Sequence, residues 1–170
     1  MSSMKTMIVL AMHGIPPKDF PPRELAEFFR LRSLMGMGRH EEEDQDRHGF
    51  LERKLRNWPR SEENDPFHAA SEELAANLGR VSGCEVVVGY NEFCAPSLEE
   101  ALKSVANEKA DKIVVATPMM TRGGEHAEKE IPLIISEFRK LYPDITVRYA
   151  WPFDMTHVTQ FLHEHITRYM

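Results

Sequence analysis

Apolar and polar positions along the chain fall into short, almost unbroken apolar runs separated by longer runs with a helical period. Thr6 to Met12, Glu85 to Tyr90, Ile113 to Ala116 and Thr146 to Ala150 read as strands. The first and third show no polar alternation, which marks strands covered on both faces. Helical spacing begins at Pro21-Pro22, with Leu25, Phe28, Phe29 and Leu31 turned inward. It fades from about Ser33, where Gly36 and Gly38 break the run and the acidic stretch from Glu41 to Asp46 follows. Leu51, Leu55 and Trp58 then outline a short helix over Phe50 to Trp58 that stops at Pro59. Pro66 to Arg80 is a helix with Asn64 or Asp65 as its cap, and Ser97 caps another that carries Leu98, Ala101, Leu102 and Val105. Glu130-Ile131-Pro132 opens a run whose apolar face is Leu133, Ile134, Phe138 and Leu141. The last helix runs from Thr156 to Tyr169.

Strands that alternate with helices imply right-handed crossovers and a parallel sheet covered on both sides. For four strands the simplest order is 2-1-3-4, an α/β three-layer sandwich in a single domain over residues 1–170. That order sets strands one and three side by side at the switch point. Ligands bind there, outside the carboxyl ends of the strands. His13 directly follows strand one, His126 follows strand three by about ten residues, and Glu92 follows strand two. Two imidazoles and a carboxylate from distant parts of the chain are thus expected over one crevice. Such a set suits a divalent transition metal or acid–base work. Equally, each group could satisfy a loop hydrogen bond.

Composition narrows the alternatives. The chain has 170 residues, 42% of them apolar, and a formal charge of −6, which speaks against a general nucleic-acid binder. The apolar run Met7 to Met12 is too short to cross a membrane and reads as a strand. Cys84 and Cys94 form neither a disulfide framework nor a CxxC pair, so a reduced, cytoplasmic setting is expected. His40 and His48 lie in a charged segment and are expected in solvent. His163 and His165, two residues apart on a helix, do not share a face. Arg47-His48-Gly49 follows an acidic run where a phosphatase-type motif would need a buried strand. Gly123-Gly124 is no dinucleotide fingerprint, and no P-loop is present.

The same residues resemble a known family. His13-Gly14 closes strand one. Tyr90-Asn91-Glu92-Phe93-Cys94-Ala95-Pro96-Ser97-Leu98 supplies an aromatic, a Glu, then Pro-Ser and a helix. Thr117-Pro118-Met119-Met120, Gly124-Glu125-His126 and Glu130-Ile131-Pro132 complete the set in order. Together they are similar to the class II tetrapyrrole chelatases, and most of all to the short sirohydrochlorin cobaltochelatases. The chain departs from that pattern at Ile15-Pro16-Pro17, where a Ser and a basic residue are common. It departs again at about 31–65, which is longer than in the usual short form and reads as an insertion.

The resemblance implies a chelatase-like sandwich that inserts a divalent metal into a sirohydrochlorin-type tetrapyrrole without ATP. The metal would be Co²⁺, with Ni²⁺ or Fe²⁺ as alternatives, and no cofactor is implied beyond that metal substrate. His13, His126 and Glu92 would then be both metal ligands and catalytic groups that accept pyrrole protons. Gly14, Pro118, Arg122, Arg39 and Arg56 would face the tetrapyrrole, the arginines meeting its rim carboxylates. Arg47, Arg53 and Arg60 are further cations of the insertion, which would form part of a lid. A homodimer is expected, because longer relatives hold two similar halves around one cleft. The competing reading is a carrier that binds metal or tetrapyrrole on the same fold without catalysis.

Overall fold

The computed structural model describes residues 4–170. Its one sheet has the expected order, β2-β1-β3-β4, with every neighbouring pair parallel. The strands are β1 (Thr6–Met12), β2 (Glu85–Tyr90), β3 (Lys112–Ala116) and β4 (Thr146–Tyr149). The helices are α1 (Pro22–Gly36), α2 (Glu42–Arg56), α3 (Pro66–Ser82), α4 (Leu98–Asn107), α5 (Ile131–Leu141) and α6 (Met155–Ile166).

Successive side chains of β1 enter different layers, which is why the strand shows no polar alternation. Met7, Val9 and Ala11 join Ile113, Val115 and Val147 under α4 and α5, and Leu98, Leu102, Ile131, Ile135 and Phe138 close that core. Leu10 and Met12 point the other way, into a second core with Val88, Tyr90 and Ala75 of α3. A third cluster lies apart from both. It joins Phe20, Phe28 and Leu31 to Leu51, Leu55 and Phe93, and so packs α1 on α2 beside the loop that carries Glu92.

Several local expectations need correction. The helix expected over Phe50 to Trp58 is α2, which begins eight residues earlier at Glu42 and ends at Arg56. Glu41 and Asp44 form a reciprocal capping box there, and three acidic residues occupy the first turn where the helix dipole favours them. The acidic run from Glu42 on is therefore the start of this helix. Phe29 is 43% exposed although the helical spacing turned it inward. On α5 the buried stripe is Ile131, Ile135 and Phe138, whereas Leu133 and Leu141 face out at 62% and 67%. His48 is half-buried rather than solvated, because its ring stacks on Phe28 with centroids 4.8 Å apart. Of the two proposed caps, Asp65 caps α3, accepting from the His68 amide at 2.9 Å.

Candidate metal centre

His13 and Glu92 are held together by backbone. Pairing of β1 with β2 runs past the strand ends: the Asn91 amide donates to Met12 O at 2.9 Å and the Glu92 amide to His13 O at 2.8 Å. Gly14 makes this approach possible. It has φ +89°, and a Cβ there would stand 2.0 Å from the Glu92 carbonyl oxygen. Any side chain at position 14 would push the Glu92 loop away. Phe93, at φ 59° and buried, wedges the next turn of that loop among Phe28, Phe29 and His13.

His126 arrives from β3 through the Thr117–Glu125 loop. It begins a π-helical turn, His126–Glu130, that runs directly into α5. Such turns are uncommon and cluster at functional sites. The Tyr149 hydroxyl donates to Ala127 O at 2.9 Å, which ties the turn to β4. Burial holds that hydroxyl's pKa at about 12, so it remains a donor.

The three groups converge. The His13 and His126 rings meet edge to face with centroids 4.6 Å apart. His13 Nε2 is 3.9 Å from Glu92 Oε2. One ligand atom from each of His13, Glu92 and His126 lies within 4.8 Å of the others, and all three residues are half-buried. Ligands about 2.1 Å from a shared ion stand about 3 to 4 Å apart, so a small side-chain closure would complete a three-ligand site with open positions.

Hydrogen bonds fix which imidazole nitrogen faces the crevice. His13 Nδ1 lies 2.6 Å from Gly14 O. A carbonyl can only accept, so Nδ1 carries the hydrogen and Nε2 presents its lone pair. His126 Nδ1 lies 2.6 Å from Glu130 Oε2 and donates in the same way. A carboxylate behind a ligating imidazole orients the ring and raises its basicity. In the sequence Glu130 marks only the start of a helical run and of the Glu-Ile-Pro motif. Its i,i+4 relation to His126 was the available signal for this contact.

Arg32 was not foreseen at all. From the last part of α1 it donates to Glu92 Oε1, and its guanidinium lies 5.9 Å from the Phe93 ring. Nothing in the local pattern of α1 points across to a loop sixty residues on.

The cations named from the sequence divide into two groups. Arg56 donates to Cys94 O and Asn91 O, both at 3.1 Å, and so braces the Glu92 loop from behind. Arg60 is buried and bonds to Ile15 O, Leu55 O, Phe93 O and Asp65. Arg47 pairs with Glu27 on the surface. Arg39, Arg53 and Arg122 are exposed, and Pro118 is half-buried after β3. A cavity of about 230 Å³ adjoins the centre, its walls including Arg32, His48, Glu52, Arg56, Glu92 and Glu130. Cys94 is buried, and burial pushes its thiol pKa up, away from a reactive thiolate.

The parallel α/β sandwich places two imidazoles and a carboxylate over its switch point, a donor set able to hold a divalent metal. The CbiX family model matches residues 60–169, well over half of the chain, and the chain belongs to the CbiX family. The match begins after β1, so His13 and Arg32 lie outside it. A sirohydrochlorin cobaltochelatase from Methanopyrus kandleri (strain AV19) is 35% identical over 65 residues, which cover 38% of this chain and 45% of that relative. The chain therefore aligns with less than half the length of this curated relative.

Among solved structures, a chain from Marinobacter aquaeolei VT8 described as a cobalamin (vitamin B12) biosynthesis CbiX protein superposes with a TM-score of 0.51 at 16% identity. That likeness covers 96% of this chain and 98% of the other, and it shows the shared fold. The sirohydrochlorin chelatase SirB of Bacillus subtilis subspecies spizizenii, in complex with cobalt, gives a TM-score of 0.45 at 17% identity over 88% of this chain and 44% of that one. Among the described residues no helix is long and apolar enough to cross a membrane.

Proposed function

We propose that the protein inserts a divalent metal, Co²⁺ in the first instance, into a sirohydrochlorin-type tetrapyrrole without ATP. The observation that carries this reading is the convergence of His13, Glu92 and His126, one ligand atom from each within 4.8 Å. Three protein ligands with open positions hold a metal loosely enough to give it up. Two pyrrole protons must leave as the metal enters, and neutral imidazole nitrogens aimed into the crevice can accept them. His13 and His126 serve as ligands and proton acceptors, with Glu92 as the third ligand. Glu130 holds the His126 ring in its productive orientation.

The tetrapyrrole enters over the carboxyl ends of the strands, where Gly14 and Pro118 border the opening. Arg122 and Arg39, both exposed, are the cations free to meet its carboxylates. Arg56, expected among these cations, instead spends its guanidinium on Cys94 O, Asn91 O and Glu52 and supports the Glu92 loop. The α1–α2 hairpin, which includes most of the 31–65 segment, covers one side of the centre as a lid. A carrier that binds the same ligands without turnover is the alternative.

Mixing the protein with sirohydrochlorin and Co²⁺, and following the absorption spectrum against a protein-free control, separates the two readings. The expected result is insertion well above the uncatalysed rate. Binding with no acceleration would leave a carrier. Parallel runs with Ni²⁺ and Fe²⁺ rank the metals, since affinity order alone favours Ni²⁺ over Co²⁺.

We also infer a homodimer. Phe161, Leu162 and Ile166 of α6 are between 49% and 56% exposed, and only Val158 of that helix is buried. An apolar helix face left in water is characteristic of an interface. Light scattering at micromolar concentration is expected to give twice the chain mass, and a monomer there would remove the inference.

A further inference from the structure

Glu92 has two jobs in this structure. Oε2 faces His13 Nε2 at 3.9 Å, while Oε1 accepts from Arg32. A carboxylate bound to a guanidinium is a poorer ligand for a cation than a free one, because part of its charge is already neutralised and one oxygen is engaged.

Arg32 is free to leave Glu92. Its side chain is 47% exposed, whereas that of Glu92 is only 16% exposed, so the cation is the mobile partner of the pair. The cavity beside the centre is lined by Arg32 together with Glu52 and Glu130, two carboxylates other than Glu92. Glu52 already pairs with Arg56 at 3.2 Å and Glu130 accepts from His126, so a guanidinium released from Glu92 keeps counter-charge nearby by joining pairs that exist. It does not have to be expelled into an apolar wall.

We propose that Arg32 is a built-in competitor for the metal at Glu92. It is a positioning residue that keeps the His13–Glu92–His126 centre weak in the resting protein, so that a bound ion can be surrendered. The inference rests on the proposed reading of those three residues as the metal site. Arg32 acts only through Glu92, and the lid helix α1 thereby sets the affinity of a centre to which it contributes no ligand.

The test is calorimetric titration of the intact protein with Co²⁺ alone, with no tetrapyrrole present. Arg32→Gln is expected to bind Co²⁺ about tenfold more tightly than wild type, a change of about 1.4 kcal/mol. Loss of mere structural support would weaken binding, so the sign discriminates. Arg32→Lys, which keeps the charge but not the planar fork, is expected to fall between the two. Arg30→Gln removes an exposed charge from the same helix and is expected to change affinity less than twofold, about 0.4 kcal/mol.

In the Glu92→Gln background the gain from Arg32→Gln should vanish. Unchanged or weaker Co²⁺ binding in Arg32→Gln overturns the proposal. So does an equal gain in Arg30→Gln, or a gain that survives Glu92→Gln. A failure of the underlying site reading looks different: Glu92→Gln and His126→Ala would then titrate like wild type.

Discussion

His126→Ala is expected to abolish Co²⁺ insertion and to leave a folded protein that still binds the tetrapyrrole. His126 lies at the first residue of the π-helical turn, so removing its ring leaves the α5 core of Ile131, Ile135 and Phe138 untouched. What disappears is a nitrogen that the proposed function makes ligand and proton acceptor at once. Residues acting as one unit are strongly non-additive, so the His13→Ala, His126→Ala double variant should be no slower than His126→Ala alone.

Glu130→Gln offers a graded control. It leaves the imidazole in place but replaces the carboxylate that accepts from Nδ1 at 2.6 Å. Loss of such a supporting partner typically costs about 10- to 100-fold in metal affinity or activity. The ordering His126→Ala, then Glu130→Gln, then wild type is the signature of a ligand and its orienting group. Absorption spectra recorded during turnover measure insertion, and tetrapyrrole binding can be followed without metal. Full turnover by His126→Ala would remove this residue from the mechanism.

The reach of the sequence differed between the sheet and its cover. Strands β1 and β2 could be bounded to the residue, because β1 is buried on both faces, β2 is an apolar run buried over its last three residues, and both end where the chain turns. The adjacency of β1 and β3 followed from crossover rules alone, and it was enough to bring His13 and His126 together. The cover was harder to read. The first half of α2, Glu42 to Gly49, has no apolar stripe, and its start is written in a Glu41–Asp44 box rather than in the usual Ser or Thr. Its folding depends on α1, through Phe28 and Leu31 against Leu51 and Leu55, and tertiary contacts of this kind leave no periodic trace. Arg32 and Arg60 carry the same lesson. Arg32 stands out in no sequence pattern and Arg60 reads as a cation of the insertion, yet one reaches Glu92 and the side chain of the other is buried. Only the packing of α1, α2 and the Glu92 loop decides which arginine does which.

Arg60 is where the largest loss of stability is expected. Its side chain is 6% exposed and that of its partner Asp65 1% exposed. The guanidinium bonds to Ile15 O at 2.8 Å, to Leu55 O at 2.9 Å and to Phe93 O, and so joins the loop after β1, the end of α2 and the loop bearing Glu92. Arg60→Ala removes these bonds together and leaves the Asp65 carboxylate buried without its cation. Breaking a buried pair from one side costs about 3–5 kcal/mol. Arg60→Lys should recover little, because a single ammonium cannot span acceptors that a planar fork reaches from two sides. Asp65→Asn should cost less than Arg60→Ala, since the amide oxygen can still cap α3 by accepting from the His68 amide. Urea denaturation of the three variants measures the order. An Arg60→Ala protein within about 0.5 kcal/mol of wild type, the range of an ordinary surface substitution, would show that the buried pair is not what joins the end of α2 to the loop after β1. If the loss is as large as expected, Co²⁺ affinity should fall with it well before global unfolding, because Phe93, which Arg60 holds, immediately follows Glu92.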